Sequence, residues 1–138
     1  MFEVVIDASV VVKWFVEEEG SSKALEVRDQ YINGELKFIA PELFAFEVLN
    51  ALRYKGLFSL EELKSVAEAL DAFSFELYSL RGKYARLTVD VAHENDITIY
   101  DAAYVSLAIL KNTCVYTTDA KLKERLKEKY STYVALLR

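Results

Sequence analysis

Short apolar segments alternate with longer segments of helical periodicity along the chain, and this alternation limits the possible folds more than any other feature. The pattern predicts strands at residues 4–6, 37–40, 75–79, 113–117 and, at a sheet edge, 133–137. It predicts helices at residues 9–34, 41–55, 60–73, 83–95, 98–110 and 121–130. Strands separated by helices indicate an α/β domain with a mostly parallel sheet of four to five short strands.

Several residues are typical of helix ends. Ser59 and Glu62 have the spacing of a capping box at the start of helix 60–73. Pro41 is suited to the first turn of helix 41–55, because its fixed φ and missing N–H are tolerated there. Gly20 and the two serines after it interrupt the segment 9–34, so we expect a break or two helices there.

The composition limits the class of protein. The chain has 138 residues, of which 53% are hydrophobic and 28% charged, so we expect one globular domain spanning residues 1–138. No apolar run approaches the roughly 18 residues that a membrane span requires, and no basic leader precedes an apolar segment. We therefore expect no membrane association and a cytoplasmic location. A lone Cys114 and a lone His93 cannot form a usual zinc site.

The net charge is −5, which argues against a protein whose whole surface binds nucleic acid electrostatically. An acidic metal site that meets phosphate through its metal remains compatible with this charge. The informative residues are therefore the acids that the folding pattern places in apolar surroundings.

Asp101 lies in the first turn of the most apolar predicted helix, in the sequence TIYDAAYVSLAIL. Such a helix must be buried on most sides, and a carboxylate there needs a hydrogen bond, a charge partner or a metal ion. One interpretation is helix capping, with Thr98 as the N-cap and Asp101 as the third helical residue. The other interpretation is a metal site, to which other segments must contribute carboxylates.

Glu47 lies in a helix whose apolar residues occupy every sector, in the sequence LFAFEVLNAL. Asn50 follows one turn later on the same side, so the two residues form a polar stripe. A glutamate that simply reaches water from the edge of the helix is the alternative interpretation.

Asp7 and Asp119 follow the first and fourth predicted strands, and in parallel sheets ligands bind beyond the carboxyl ends of the strands. Either residue could instead cap the helix that follows it. Together with Glu47 and Asp101 they predict four converging carboxylates, whose mutual repulsion divalent cations would relieve. All-oxygen ligands favour Mg²⁺ or Mn²⁺.

These segments resemble the PIN domain, and in particular the VapC toxins of VapBC toxin–antitoxin pairs. The resemblance rests on VVIDAS, PELFAFEVLNAL, TIYDAAYVSLA and VYTTD, which occur in order along nearly the whole chain. It implies a three-layer α/β/α domain and a Mg²⁺- or Mn²⁺-dependent endoribonuclease that cleaves single-stranded RNA. It implies that the catalytic and metal-binding residues are Asp7, Glu47, Asp101 and Asp119.

The same resemblance implies a VapB-like antitoxin as a partner. Ser9, Asn50 and Thr117 are predicted to support the metal ligands. Lys13 and Arg53 are predicted to contact RNA phosphates, because they follow the acidic motifs on their own helices. The many aromatic residues leave room for a homodimer interface, although each also has the spacing of a core residue. These residues are Trp14, Phe15, Phe44, Phe73 and Tyr104.

Other functions are compatible with parts of the pattern. A PIN nuclease with a housekeeping role in RNA processing would carry the same acids. A non-catalytic acidic module would bind a basic partner without turnover. An aspartyl-phosphate phosphatase usually has a second aspartate two positions after the nucleophile, where this chain has Ser9. No Gly-rich motif supports a nucleotide-binding loop.

Overall fold

A computed structural model describes residues 2–138, which contain a five-stranded sheet with all strand pairs parallel. The strand order is β3-β2-β1-β4-β5, so β1 is central and the C-terminal strand β5 lies at an edge, as predicted. The strands are β1 (Phe2–Ile6), β2 (Leu36–Pro41), β3 (Glu76–Tyr78), β4 (Val115–Thr117) and β5 (Val134–Leu136).

Helices cover both faces of the sheet, which confirms the predicted three-layer α/β/α architecture. They are α1 (Ala8–Phe15), α2 (Ser21–Ile32), α3 (Phe44–Lys55), α4 (Leu60–Phe73), α5 (Gly82–Asn95), α6 (Ile99–Leu110), α7 (Ala120–Glu124) and α8 (Glu128–Ser131). Helices α1 to α4 pack on one face and α5 to α8 on the other. Alternate strand residues serve the two cores: Val4 and Ile6 face α1 to α4, whereas Val5 faces α6.

The predicted helix over residues 9–34 is two helices, and the break that its glycine and serines indicate is present. Gly20 has φ of 89°, in the left-handed region that favours glycine. Ser21 opens α2, and its hydroxyl donates to the carbonyl of Val16 at 2.8 Å. The capping box of α4 is also present, because Ser59 and Glu62 bond reciprocally.

The prediction for Pro41 is wrong. Pro41 is the last residue of β2, and the helix begins only at Phe44. The ladder between β1 and β2 ends at the pair Val5 and Ile39, so the missing N–H of Pro41 lies beyond the last residue paired with β1. A proline is therefore tolerated at this strand end.

The predicted helix over residues 121–130 is also wrong as a single element, because the structure has the two short helices α7 and α8 there. The apolar spacing that suggested one helix is real, since Leu122, Leu126 and Tyr130 are all buried. The amide of Lys127, however, donates to the side-chain oxygen of Asn95 at 2.8 Å. This hydrogen bond to α5 ends the first helix, because it takes the place of the bond that would continue it.

The topology places the ends of β1 and β4 side by side. The amide of Asp7 donates to the carbonyl of Tyr116 at 3.0 Å, so the residues after Ile6 and after Tyr116 meet at the carboxyl-terminal edge. Helix α6 packs against β1, β2 and β4 and brings its first turn to the same edge. Within residues 2–138, no helix combines the length and the apolarity needed to cross a membrane.

Candidate active site

Asp7 is the centre of the site, directly after β1 and before α1. Its Oδ2 accepts hydrogen bonds from the hydroxyls of Ser9 and Thr117, both at 2.7 Å. Ser9 belongs to α1 and Thr117 is the last residue of β4, so two elements hold one carboxylate oxygen. These bonds fix the direction of the carboxylate and satisfy part of its hydrogen-bonding capacity in a half-buried position.

The two hydroxyls are themselves fixed by the backbone after β4. The amide of Thr118 donates to Ser9 Oγ at 3.1 Å, and the amide of Asp119 donates to Thr117 Oγ1 at 3.0 Å. Thr117 has no exposed surface. The predicted supporting positions Ser9 and Thr117 therefore contact a predicted ligand directly.

Glu47 reaches the site from the first turn of α3. It is half-buried, and its Oε1 accepts a hydrogen bond from the phenol of Tyr104 at 2.6 Å. Its neighbours Phe44 and Val48 are buried in the core, which holds this side of α3 against the sheet. The alternative interpretation, a glutamate that simply reaches water from the edge of the helix, does not hold, because the carboxylate accepts a hydrogen bond from a buried side chain.

Asp101 and Asp119 occupy helix starts. Thr98 Oγ1 accepts from the amide of Asp101 at 3.1 Å, which confirms Thr98 as the N-cap of α6. Asp119 is exposed and caps α7, since its Oδ1 accepts from the amide of Lys121 at 3.0 Å. Helix capping is therefore present in both segments, and it does not exclude the alternative that both acids belong to a metal site.

The charges of these acids affect one another. Burial raises the pKa of Asp7, and the charges of Asp101 and Asp119 add to this rise, although the bonds from Thr117 and Ser9 oppose it. Burial raises the pKa of Asp101 as well, and the charge of Asp119 adds to that effect, while Arg125 opposes it. The structure therefore brings Asp7, Asp101 and Asp119 within electrostatic reach of one another.

The pKa of Glu47 is raised as well. Burial raises its pKa from 4.5 to about 7, and the charges of Asp7 and Asp101 add to the rise against the bond from Tyr104. Acids that raise one another's pKa in this way store repulsion that a bound cation would relieve.

The donor set fits a hard divalent cation. All four side chains present oxygen, and Mg²⁺ is usually bound by one or two carboxylates while it keeps several water molecules. Within residues 2–138, no three His, Cys, Asp or Glu side chains lie close enough together to hold one ion among them. The site therefore fits partial coordination by protein oxygens better than a closed cage of side chains.

The remaining predicted residues lie farther from the acids. Lys13 forms an ion pair with Glu18 at 3.0 Å and lines a cleft with Thr118 and Ala120, next to Asp119. Asn50 and Arg53 are exposed and line an open groove between α3 and α4. Within the described residues, neither forms a hydrogen bond or ion pair with any of the four acids.

Tyr104 is the contact that the sequence pattern did not reveal. Its position in α6 predicts a core residue, and it is only 1% exposed. The one available signal was its place three residues after Asp101, on the same side of the helix.

The model of the PIN domain family matches residues 4–127 of the chain. The chain belongs to the PIN domain family. Ribonuclease VapC3 from Pyrobaculum aerophilum is 30% identical over 129 residues, which cover 89% of this chain and 94% of that protein. The family assignment agrees with the order of the four acidic segments along the sequence.

Solved structures share the PIN fold at low sequence identity. VapBC2 from Rickettsia felis, crystallised with a DNA fragment from its promoter, gives a TM-score of 0.66 at 12% identity and covers 99% of this chain and 100% of that one. A toxin–antitoxin complex from Klebsiella pneumoniae gives a TM-score of 0.61 at 16% identity, and the match covers 86% of this chain and 88% of that one. PAE2754 from Pyrobaculum aerophilum gives a TM-score of 0.60 at 21% identity, and the match covers 91% of this chain and 87% of that one.

Proposed function

We propose that this protein is a divalent-metal-dependent endoribonuclease that hydrolyses phosphodiester bonds of single-stranded RNA. The observation that carries the proposal is the meeting of Asp7, Glu47 and Asp101 at one sheet edge, where burial and mutual repulsion raise their pKa values. Acids held together against their repulsion are typical of a metal-dependent active site. The similarity to a ribonuclease over most of the chain supports the same chemistry.

In this mechanism one or two of the carboxylates of Asp7, Glu47 and Asp101 would contact the ion directly, and the others would reach it through its bound water. Asp119 would contribute from the exposed rim. A bound Mg²⁺ or Mn²⁺ would lower the pKa of the attacking water and balance charge on the phosphate. Ser9 and Thr117 keep Asp7 in one orientation through their 2.7 Å hydrogen bonds. Cleavage of the P–O3′ bond leaves a 3′-hydroxyl and a 5′-phosphate.

We infer that the nuclease is the toxin of a type II toxin–antitoxin pair and acts in the cytoplasm. The similarity to a VapC ribonuclease, and to structures described as toxin–antitoxin complexes, supports this inference. The partner would be a VapB-like antitoxin that silences the acids with a basic side chain. A housekeeping PIN nuclease would instead be active without a neutralising partner.

A homodimer is part of the proposal, but the aromatic residues considered for its interface do not support it. Trp14, Phe44 and Tyr104 are at most 9% exposed and belong to the two cores. Phe15 and Phe73 are partly buried against the first of these cores. Light scattering on the purified protein measures the oligomeric state directly, and a monomer would contradict this part of the proposal.

The experiment that tests the proposed activity uses an end-labelled pool of single-stranded RNA. The wild-type protein is incubated with Mg²⁺, with Mn²⁺ and with EDTA, beside the Asp101→Asn variant. We expect cleavage only with metal and only by the wild type, with 5′-phosphate ends on the products. Metal-independent cleavage, or full activity of Asp101→Asn, would contradict the mechanism.

Expression in a bacterial host tests the toxin role separately. We expect the wild type to arrest growth and Asp101→Asn to be tolerated, with rescue by coexpression of a VapB-like antitoxin if one is encoded beside the gene. Active nuclease that leaves growth unaffected would favour the housekeeping function. Binding of basic proteins without any metal-dependent turnover would favour the acidic module.

A further inference from the structure

The contact between Tyr104 and Glu47 joins two distant segments at the acidic edge. Tyr104 belongs to α6 and Glu47 to α3, and the phenol donates to Glu47 Oε1 at 2.6 Å. The tyrosine is 1% exposed, so water cannot replace Glu47 as the partner of its hydroxyl without opening the core. The hydroxyl also lies within electrostatic reach of Asp7.

Helix α6 therefore places a predicted metal ligand and a hydrogen-bond donor on the same side. Asp101 and Tyr104 are one turn apart, and Asp101 is itself a predicted metal ligand. Glu47 has a longer, more flexible side chain than an aspartate, and the charges of Asp7 and Asp101 repel its carboxylate. Without a donor on the inner side, the glutamate would be free to rotate away from the other acids towards water.

We propose that Tyr104 is a positioning residue that holds Glu47 in the orientation for divalent-cation binding. The proposal rests on the function proposed above, because it assigns Glu47 to the metal site. Tyr104 itself contacts no cation or RNA in this mechanism. It acts by donating one hydrogen bond from a rigid, buried ring, as residues behind metal ligands commonly do.

The chain offers a matched control in Tyr84. This tyrosine is also buried, at 7% exposure, and its hydroxyl donates to the carbonyl of Ala103 at 2.7 Å. Tyr84→Phe and Tyr104→Phe each remove one buried hydroxyl and its hydrogen bond. The bond of Tyr84 ends on the backbone of α6, and the bond of Tyr104 ends on Glu47. Only Tyr104→Phe removes a bond to a carboxylate of the site.

The experiment measures Mn²⁺ binding to the purified protein without RNA, by water-proton relaxation or calorimetry. We expect Tyr104→Phe to weaken Mn²⁺ binding by roughly tenfold or more and Tyr84→Phe to bind like the wild type. Thermal unfolding of both variants checks that each is folded. Equal Mn²⁺ affinities of the two variants would overturn the proposal, whether both are weakened or neither is.

A double-mutant cycle with Glu47→Gln tests whether the effect passes through Glu47. In the Glu47→Gln background, we expect Tyr104→Phe to change Mn²⁺ affinity much less than in the wild type. An undiminished effect would overturn the positioning role. Wild-type protein that binds Mn²⁺ but cleaves no RNA would contradict the proposed activity alone, and the assay of Tyr104 would still stand.

Discussion

The fold treats the acids at the carboxyl-terminal edge of the sheet differently from the acids that are paired with lysines. Glu18 accepts from Lys13 at 3.0 Å and from Lys55 at 2.9 Å, and these bonds lower its pKa. Asp7 and Glu47 have raised pKa values, and within residues 2–138 neither forms an ion pair. They are bonded to neutral hydroxyls instead.

This difference separates the acids whose charge the fold already neutralises from the acids that we propose to bind a cation. A carboxylate beside a lysine is already neutralised, so it gains little from a cation in solution. A carboxylate held by hydroxyls near other carboxylates keeps its unmet demand for positive charge. The carboxylates at this edge therefore repel one another and reduce the stability of the fold, as groups at functional sites commonly do.

The largest expected effect is on cleavage. Asp7→Asn removes one charge at the centre of the site, and we expect the rate of RNA cleavage to fall about a hundredfold or more, since metal binding contributes several kcal/mol. Glu76→Gln is the control, because Glu76 on β3 forms an ion pair with Lys37 on β2 at 2.9 Å. Comparable losses in both variants, measured with labelled RNA at fixed Mg²⁺, would remove the distinction between the two sets of acids.

The next effect concerns the hydroxyl behind Asp7. Thr117→Val keeps the shape but removes the bond to Asp7 Oδ2, so we expect Mn²⁺ affinity to fall roughly tenfold to a hundredfold. We also expect a loss of about 1–2 kcal/mol in stability.

Thr88→Val is the matched control for this variant. Thr88 is also fully buried, and its hydroxyl donates to the carbonyl of Tyr84 at 2.8 Å, outside the site. It should lose stability without losing Mn²⁺ affinity. Calorimetry and thermal unfolding separate the two quantities, and unchanged Mn²⁺ binding in Thr117→Val would show that Asp7 needs no such support.

A smaller effect concerns stability and pH in the metal-free protein. The pKa of Glu47 is raised from 4.5 to about 7, so its stabilising contribution is complete below pH 4.5 and is lost as the pH rises through 7. Glu47→Gln stays neutral, and we expect it to exceed the wild type by about 1–2 kcal/mol at pH 8, discounted because Glu47 is only half-buried.

Denaturant unfolding at pH 4 and pH 8 measures this difference. At pH 4 the two proteins should be equally stable. Glu76→Gln should show the opposite direction at pH 8, because Lys37 lowers the pKa of Glu76 and the pair favours the charged form. Equal behaviour of the two glutamine variants would contradict the contrast between paired and unpaired acids.

The smallest effect is on RNA binding. Lys13 already pairs with Glu18, so a phosphate must compete for it, and we expect Lys13→Gln to weaken RNA binding only a few-fold. The slope of log affinity against log salt should decrease by about 0.7 if one phosphate contact is lost. Lys37→Gln is the control, since Lys37 pairs with Glu3 and Glu76. An unchanged slope would exclude Lys13 from the RNA interface.

Local signals predicted most of the elements. The apolar alternation located all five strands, and the Ser59–Glu62 box and the Thr98 cap located two helix starts, because these features depend on neighbours in sequence. The predictions for Pro41 and for one helix over residues 121–130 were wrong, because residues distant in sequence determine the structure of these two segments. The strand neighbour β3 extends β2 through Pro41, and Asn95 takes the amide of Lys127.

The sequence by itself determined the fold class and, through the resemblance of four segments, the family. It also predicted four acids for the site, because strand ends and apolar helix faces limit where a carboxylate can lie. Only the tertiary structure decided which neutral groups hold those acids. Thr117 lies 110 residues from Asp7, and Tyr104 lies 57 residues from Glu47. No periodicity within a single helix or strand encodes such pairs, because they form only when the parallel sheet brings its carboxyl ends and α6 together.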